Sequence, residues 1–298
     1  MNNIMTKESI NEFSVVGVLN EMKLIEGTSN KSNDQYVGLD IQIKVDQPIG
    51  DKVEENVIPV KLFSSRHKKD GNLNANYDRI KGYADKLQSL GSVDNPKDAS
   101  RVNVVAKIAE NAFAGKDGRI INTWQLSTNF INDARNSDEE GATFVVTGAV
   151  VKKLQELDRE GNETGRLIVK LDIIGYNGTS NVIDFYASGS AADHIDRNWE
   201  QGDTVKAAGV IAMTKKVIKI EEEMGFGEAL VKERTESRRE LIITKGSQAG
   251  LSEDESYDSD DIKVSLDKRK AYLTSLEENA KNKSSAAPAK KSSDGFGF

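Results

Sequence analysis

The chain has 298 residues, 37% hydrophobic and 30% charged, with two histidines and no cysteine; this excludes a disulfide framework, a thiol nucleophile and a cysteine zinc site, and the length suggests about two domains. The net charge is −7, but six carboxylates between Ser252 and Asp261 stand without a cation and leave −1 for the other 288 residues, so overall acidity is no guide to the ligand of the folded part. No apolar run approaches the roughly 18 residues of a membrane span, and the opening residues, with Lys7 and Glu8, lack the apolar stretch of a secretory signal, so a soluble cytoplasmic protein is expected.

The first predicted strand is Phe13–Leu19, with Gly17 mid-strand, where a long strand must bend or bulge. From Tyr36 to Val45 apolar and polar residues alternate without a break, the period of a half-buried strand, and Val57–Phe63 follows as a third. A helical stretch over Tyr77–Leu90 then leads into strands at Val102–Phe113 and Ile120–Phe130. The series begins again at Phe144-Val145-Val146-Thr147-Gly148-Ala149-Val150, which repeats Phe13-Ser14-Val15-Val16-Gly17-Val18-Leu19. Arg166–Ile173 alternates like Tyr36–Val45, after a turn at Asp158–Asn162 in which Gly161 is free to take positive φ. Asn181-Val182-Ile183 repeats Asn56-Val57-Ile58 and opens a strand over Val182–Ala187; a helix over Ser190–Trp199 and strands at Thr204–Met213 and Arg238–Lys245 complete the second copy. A long insertion up to Ser237 separates its last two strands. The spacing between copies falls from 131 to 125 to 103, which places the length differences in loops.

Three strands, a helix and two strands is the order of the five-stranded Greek-key barrel called the OB-fold. The expected fold is therefore dominated by β with minor α: one barrel over 10–133, a second over 141–248, and an acidic, flexible C-terminal tail over 252–298 with a short helix at 262–280. Trp124, alternating with Leu126, is expected in the core, and Trp199 is expected to plug a barrel.

The chain lacks the phosphate loop GxxxxGK[ST], a GxGxxG after a strand, HExxH and GxSxG, so no catalytic residue, metal or cofactor is expected. Strand parity instead locates a binding face. With Val37, Leu39, Ile41, Ile43 and Val45 inward, the second strand turns Tyr36 and Lys44 outward, and the third turns Lys61 and Phe63 outward. The second copy places Arg166, Lys170, Tyr176 and Tyr186 alike. Flanking loops add Arg66, Lys68 and Lys69; Phe113, Lys116 and Arg119; Lys152 and Lys153; and Lys215 and Lys216. Cations beside exposed rings suit a single nucleic-acid strand, because amines neutralise phosphates and each stacked base contributes roughly 1–3 kcal/mol.

In this architecture, and in a chain ending Asp294-Gly295-Phe296-Gly297-Phe298 after a Lys/Ser/Ala/Pro linker and an acidic block, the sequence resembles tandem OB-fold single-stranded-DNA-binding proteins, especially those of bacteriophage replication. The resemblance implies non-catalytic coating of single strands, largely without sequence preference, in replication, recombination or repair. It also implies that Asp294, Phe296 and Phe298 recruit replication or recombination proteins. The tail departs from the pattern, since its acids lie about 35 residues before the last residue and Lys290-Lys291 lie close to it. Two other readings stay open: a protein–protein scaffold in a replisome or virion, and an accessory subunit of a nuclease or ligase.

Overall fold

A computed structural model describes residues 8–115, 117–175, 178–222 and 230–285. Strands β1 (Asn11–Thr28), β2 (Gln35–Ile49) and β3 (Lys52–Ser65) form a meander, followed by helix α1 (Ala75–Lys86) and strands β4 (Arg101–Ala114) and β5 (Ile120–Ser127). β1 pairs antiparallel with both β2 and β4, and β3 meets β5 in parallel at Val60–Leu126 and Lys61–Ser127, so the five strands close on themselves. A short β6 (Asn132–Asp133) adds to β4. Strands β7 (Gly141–Leu157), β8 (Glu163–Asp172) and β9 (Val182–Ser188), helix α2 (Gly189–Asn198), and strands β10 (Thr204–Glu222) and β11 (Leu230–Gly246) close a second barrel in the same order. Each is an OB-fold.

The alternation read from the sequence becomes the barrel interior: Val37, Leu39, Ile41, Ile43 and Val45 are all buried. Trp199 is 1% exposed at the end of α2, its indole N–H donating to the Ser247 carbonyl at 2.9 Å. Trp124 is also in the core. The mid-strand glycines answer to close approach. A Cβ on Gly17 would lie 2.2 Å from the Lys44 carbonyl oxygen, and the β1–β2 register shifts just beyond it, between Leu19 and Glu21. The hairpin turn at Asp158 forms as expected, with Gly161 at φ +88° and the Asp158 carboxylate accepting from the Glu160 and Asn162 amides.

Two expectations about the strands change. β5 ends at Ser127 rather than Phe130, because Thr128 turns the chain: its hydroxyl donates to the Val105 carbonyl and accepts from the Phe130 amide. The insertion expected before Ser237 is not a loop. β10 and β11 continue as one antiparallel ladder from Lys215–Ser237 to Glu222–Leu230, along a largely charged segment in which Val217, Ile218, Ile220, Val231 and Thr235 are strand formers.

The two copies pack as a self-complementary pair. β1 pairs antiparallel with β7 so that Phe13 stands directly opposite its repeat partner Phe144, rings 5.6 Å apart. The repeated asparagines make reciprocal bonds: Asn56 accepts from the Met213 amide at 2.8 Å, and Asn181 accepts from the Glu110 amide at 3.0 Å. Met213 and Glu110 are themselves equivalent, both separated by 103 in the numbering, so a local two-fold axis relates the barrels. One apolar core runs through both.

The chain after β11 is folded up to residue 285. Tyr257 is buried, its hydroxyl donating to Ser9 Oγ at 2.6 Å and its amide to Thr204 Oγ1 at 2.9 Å. Helix α3 (Ser259–Ser285), longer than the 262–280 expected, places Ser265 Oγ 2.6 Å from Asp172 Oδ2 of the second barrel and Arg269 on both oxygens of Glu110 in the first, at 2.5 and 2.6 Å. It thus ties the two barrels together. Asp294, Phe296 and Phe298 lie outside the described residues. Among those described, no helix is long and apolar enough to cross a membrane.

Candidate nucleic-acid interface

In the β2–β3 ladder Gly38 stands opposite Phe63 and Asp40 opposite Lys61. Glycine puts no side chain over its partner, so Phe63 is 62% exposed, its ring leaning on Tyr36 with centroids 5.6 Å apart. These residues, with Ile25, Lys107, Gln125 and Ser127, line an open groove of about 600 Å3. A second hollow of about 550 Å3 lies at the β1–β2 and β3–α1 loops, lined by Asp34, Ser65, His67, Lys68 and Lys69. There His67 Nδ1 lies 2.8 Å from the Asp34 carboxylate, and that side-chain hydrogen bond holds the acid below its ordinary pKa. Arg66 is exposed and donates to Gln35. Phe113, 44% exposed, faces Ile121 across the β4–β5 hairpin, where Arg119 is exposed. Lys44 is turned to Glu55 on the neighbouring strand, and that contact raises its pKa.

The equivalent face of the second barrel is filled. Its ladder sets Arg166 opposite Ser188, where the first sets Gly38 opposite Phe63. The Arg166 guanidinium lies 3.1 Å from Glu156 and 2.6 Å from Glu240, and 4.9 Å over the Tyr186 ring. Arg238 adds a second cation to Glu240 at 2.7 Å, and Lys170 is bound to Asp184 at 2.6 Å. Burial pushes the Tyr186 phenol up from its ordinary pKa. Register assigns Ile25 and Gln125 as the counterparts of Glu156 and Glu240; both are neutral and both line the first groove. An arginine between two glutamates therefore occupies the place that is open in the first barrel.

The family model named YorF matches residues 9–279. The chain belongs to the YorF family. No curated protein matches this YorF chain in sequence. Among solved structures, it is similar to the wild-type single-stranded DNA binding protein from Thermus aquaticus, with a TM-score of 0.51 at 10% identity over 83% of this chain and 96% of that one. A deletion mutant of the same Thermus aquaticus protein gives 0.52 at 11% identity, over 83% and 97%. At such identities the likeness is one of fold.

The expected site residues thus divide in the YorF chain. Tyr36, Lys61 and Phe63 line one groove, and Lys68 and Lys69 line the hollow at the adjoining loops, while Arg66 donates to Gln35 beside Tyr36. Arg166 and Lys170 were expected as free partners for phosphate, and both are instead held by carboxylates on neighbouring strands. Lys153 is drawn to the C-terminus of α2, 2.6 Å from the Asp196 carbonyl, where a cation suits the helix dipole. Lys152 and Lys215 are exposed. Lys116, Tyr176 and the side chain of Lys216 lie outside the described residues. Sequence reading missed Lys107, although the inward series Val102, Val104, Ala106 and Ile108 turns it outward by the same parity.

Proposed function

We propose that this protein binds single-stranded DNA, largely without sequence preference, on the outer face of its first barrel. The observation that carries the reading is the open groove in which Phe63 and Tyr36 form an aromatic platform beside Lys61. An exposed ring supplies a stacking surface that tolerates any base, and Lys61 in the groove, with Lys68 and Lys69 in the neighbouring hollow, offers charge to the phosphates, Lys107 being paired with Glu8. The fold shared with the single-stranded DNA binding protein from Thermus aquaticus supports the same reading. The protein acts without catalysis, coating single strands in replication, recombination or repair of a bacteriophage-type system, and Asp294, Phe296 and Phe298 recruit its protein partners.

Fluorescence anisotropy of a labelled oligothymidine against a duplex of equal length, titrated across salt, tests this. Preference for the single strand is expected, with log affinity falling on log salt by about 0.7 for each phosphate contacted. If neither nucleic acid binds at low salt, the assignment of the outer face is wrong, and a protein–protein scaffold becomes the reading to test.

A further inference from the structure

Strand β5 borders two clefts. Gln125 and Ser127 line the first-barrel groove, while Asn122, Thr123 and Trp124, nearer the start of the strand, line a cleft of about 440 Å3 between the barrels. Lys170, Asp184 and Tyr186 of β8 and β9 form the opposite wall. Arg239 of β11 enters between the walls, its guanidinium carbon 4.2 Å from the centre of the Trp124 ring and its Nη2 donating to the Trp124 carbonyl. The neighbouring cations each have a carboxylate: Lys170 has Asp184, Arg238 has Glu240 and Arg269 has Glu110. Among the described residues none pairs with Arg239, although the loss of surrounding water lowers its pKa. A guanidinium held over an indole on one side can offer its plane on the other, and nucleobases stack on arginine planes as they do on aromatic ones.

We infer that this cleft is a nucleotide subsite, in which Arg239, held on Trp124, stacks a base of the single strand that leaves the first-barrel groove along β5. The inference rests on the reading that the first barrel binds single-stranded DNA. It assigns the strand a path along the edge of the second barrel's filled face, past Lys170, Asp184 and Tyr186, and clear of the place that Arg166 occupies.

Two labelled oligothymidines test it: one of about 10 nucleotides, within the roughly 4–16 that one OB barrel holds, and one of about 35. Arg239→Ala is expected to leave the short oligonucleotide within about twofold of wild type and to weaken the long one about 5- to 150-fold, the loss of one stacked base. Unchanged short-oligonucleotide affinity also shows that the variant is folded. Arg239→Lys is expected to remain weak on the long strand, because an ammonium keeps the charge and offers no plane. The long strand should also quench tryptophan emission in wild type and not in Trp124→Phe, since Trp124 lines the cleft and Trp199 does not. Full affinity in Arg239→Lys, equal long-strand affinity in all variants, or an equal loss on both lengths would each overturn the subsite. If wild type binds neither length, the reading of the first barrel fails, and the subsite with it.

Discussion

Phe63→Ala and Tyr186→Ala remove one outward ring from each barrel, and the structure assigns them opposite consequences. Phe63 is 62% exposed, so its loss takes little from the folded state, within about 0.5–1 kcal/mol for an outward strand position. What it removes is half of the platform it forms with Tyr36, worth roughly 1–3 kcal/mol of binding, or about 5- to 150-fold in affinity. Tyr186 is half-buried beneath Arg166, so its loss acts on stability and leaves binding of a short strand within about twofold. The assay is anisotropy of an oligothymidine of about 10 nucleotides at two salt concentrations, with chemical denaturation of each variant alongside. Phe63 is uncharged, so its variant should keep the wild-type salt slope, whereas Lys61→Ala should reduce the slope by about 0.7. Equal losses of affinity in Phe63→Ala and Tyr186→Ala would refute the assignment of the strand to the first barrel.

The buried Asp172 carboxylate accepts from Ser265, Ser180 and the Asn181 amide, yet desolvation raises its pKa. The stability it contributes is therefore present below the unfolded value of about 3.9 and lost as pH rises through the raised folded value; thermal melts across that window should show the decline in wild type and not in Asp172→Asn. Asn56→Ala and Asn181→Ala each strand one amide, of Met213 or of Glu110, and should cost a similar ~1–3 kcal/mol by denaturant titration. Ending the chain at residue 251 removes the buried Tyr257 and both ties of α3, a loss of at least about 1.5–3 kcal/mol, read by denaturant titration. Combining Arg166→Gly, Glu156→Ile and Glu240→Gln removes three of the four charges of the ion cluster, leaving Arg238, and should open a second groove, read as a larger number of nucleotides bound per chain at saturation.

The barrels were legible because alternation, mid-strand glycines and the repeat are local features of the sequence. Each outward residue on β2 and β3 follows from parity alone. Parity does not say what an outward residue meets. Arg166 and Lys170 read as free cations because Glu156, Glu240 and Asp184 lie on other strands, and only the closed register brings them together. The acidic stretch after Leu251 reads as solvated for a similar reason. Tyr257 and Ser265 within and beyond it find their partners, Ser9, Thr204 and Asp172, at great sequence distance. The contact of Arg239 with Trp124 has no local signature, since the two residues come from different barrels.

Residues that match between the copies serve the local two-fold or the close approach of strands: Phe13 and Phe144, Gly17 and Gly148, Asn56 and Asn181. Those that differ line the faces: Gly38 against Arg166, Phe63 against Ser188, Gln125 against Glu240. Trp124 and Arg239 belong to the second group and sit at equivalent register positions, yet they touch, which places them beside the axis. Two identical chains related by that axis would set the same residue against itself there. Two arginines would repel, and two tryptophans would supply no cation. Joining both barrels in one chain removes that restriction, and it lets a strand-sized face stay open on one barrel while its counterpart is closed by its own charges.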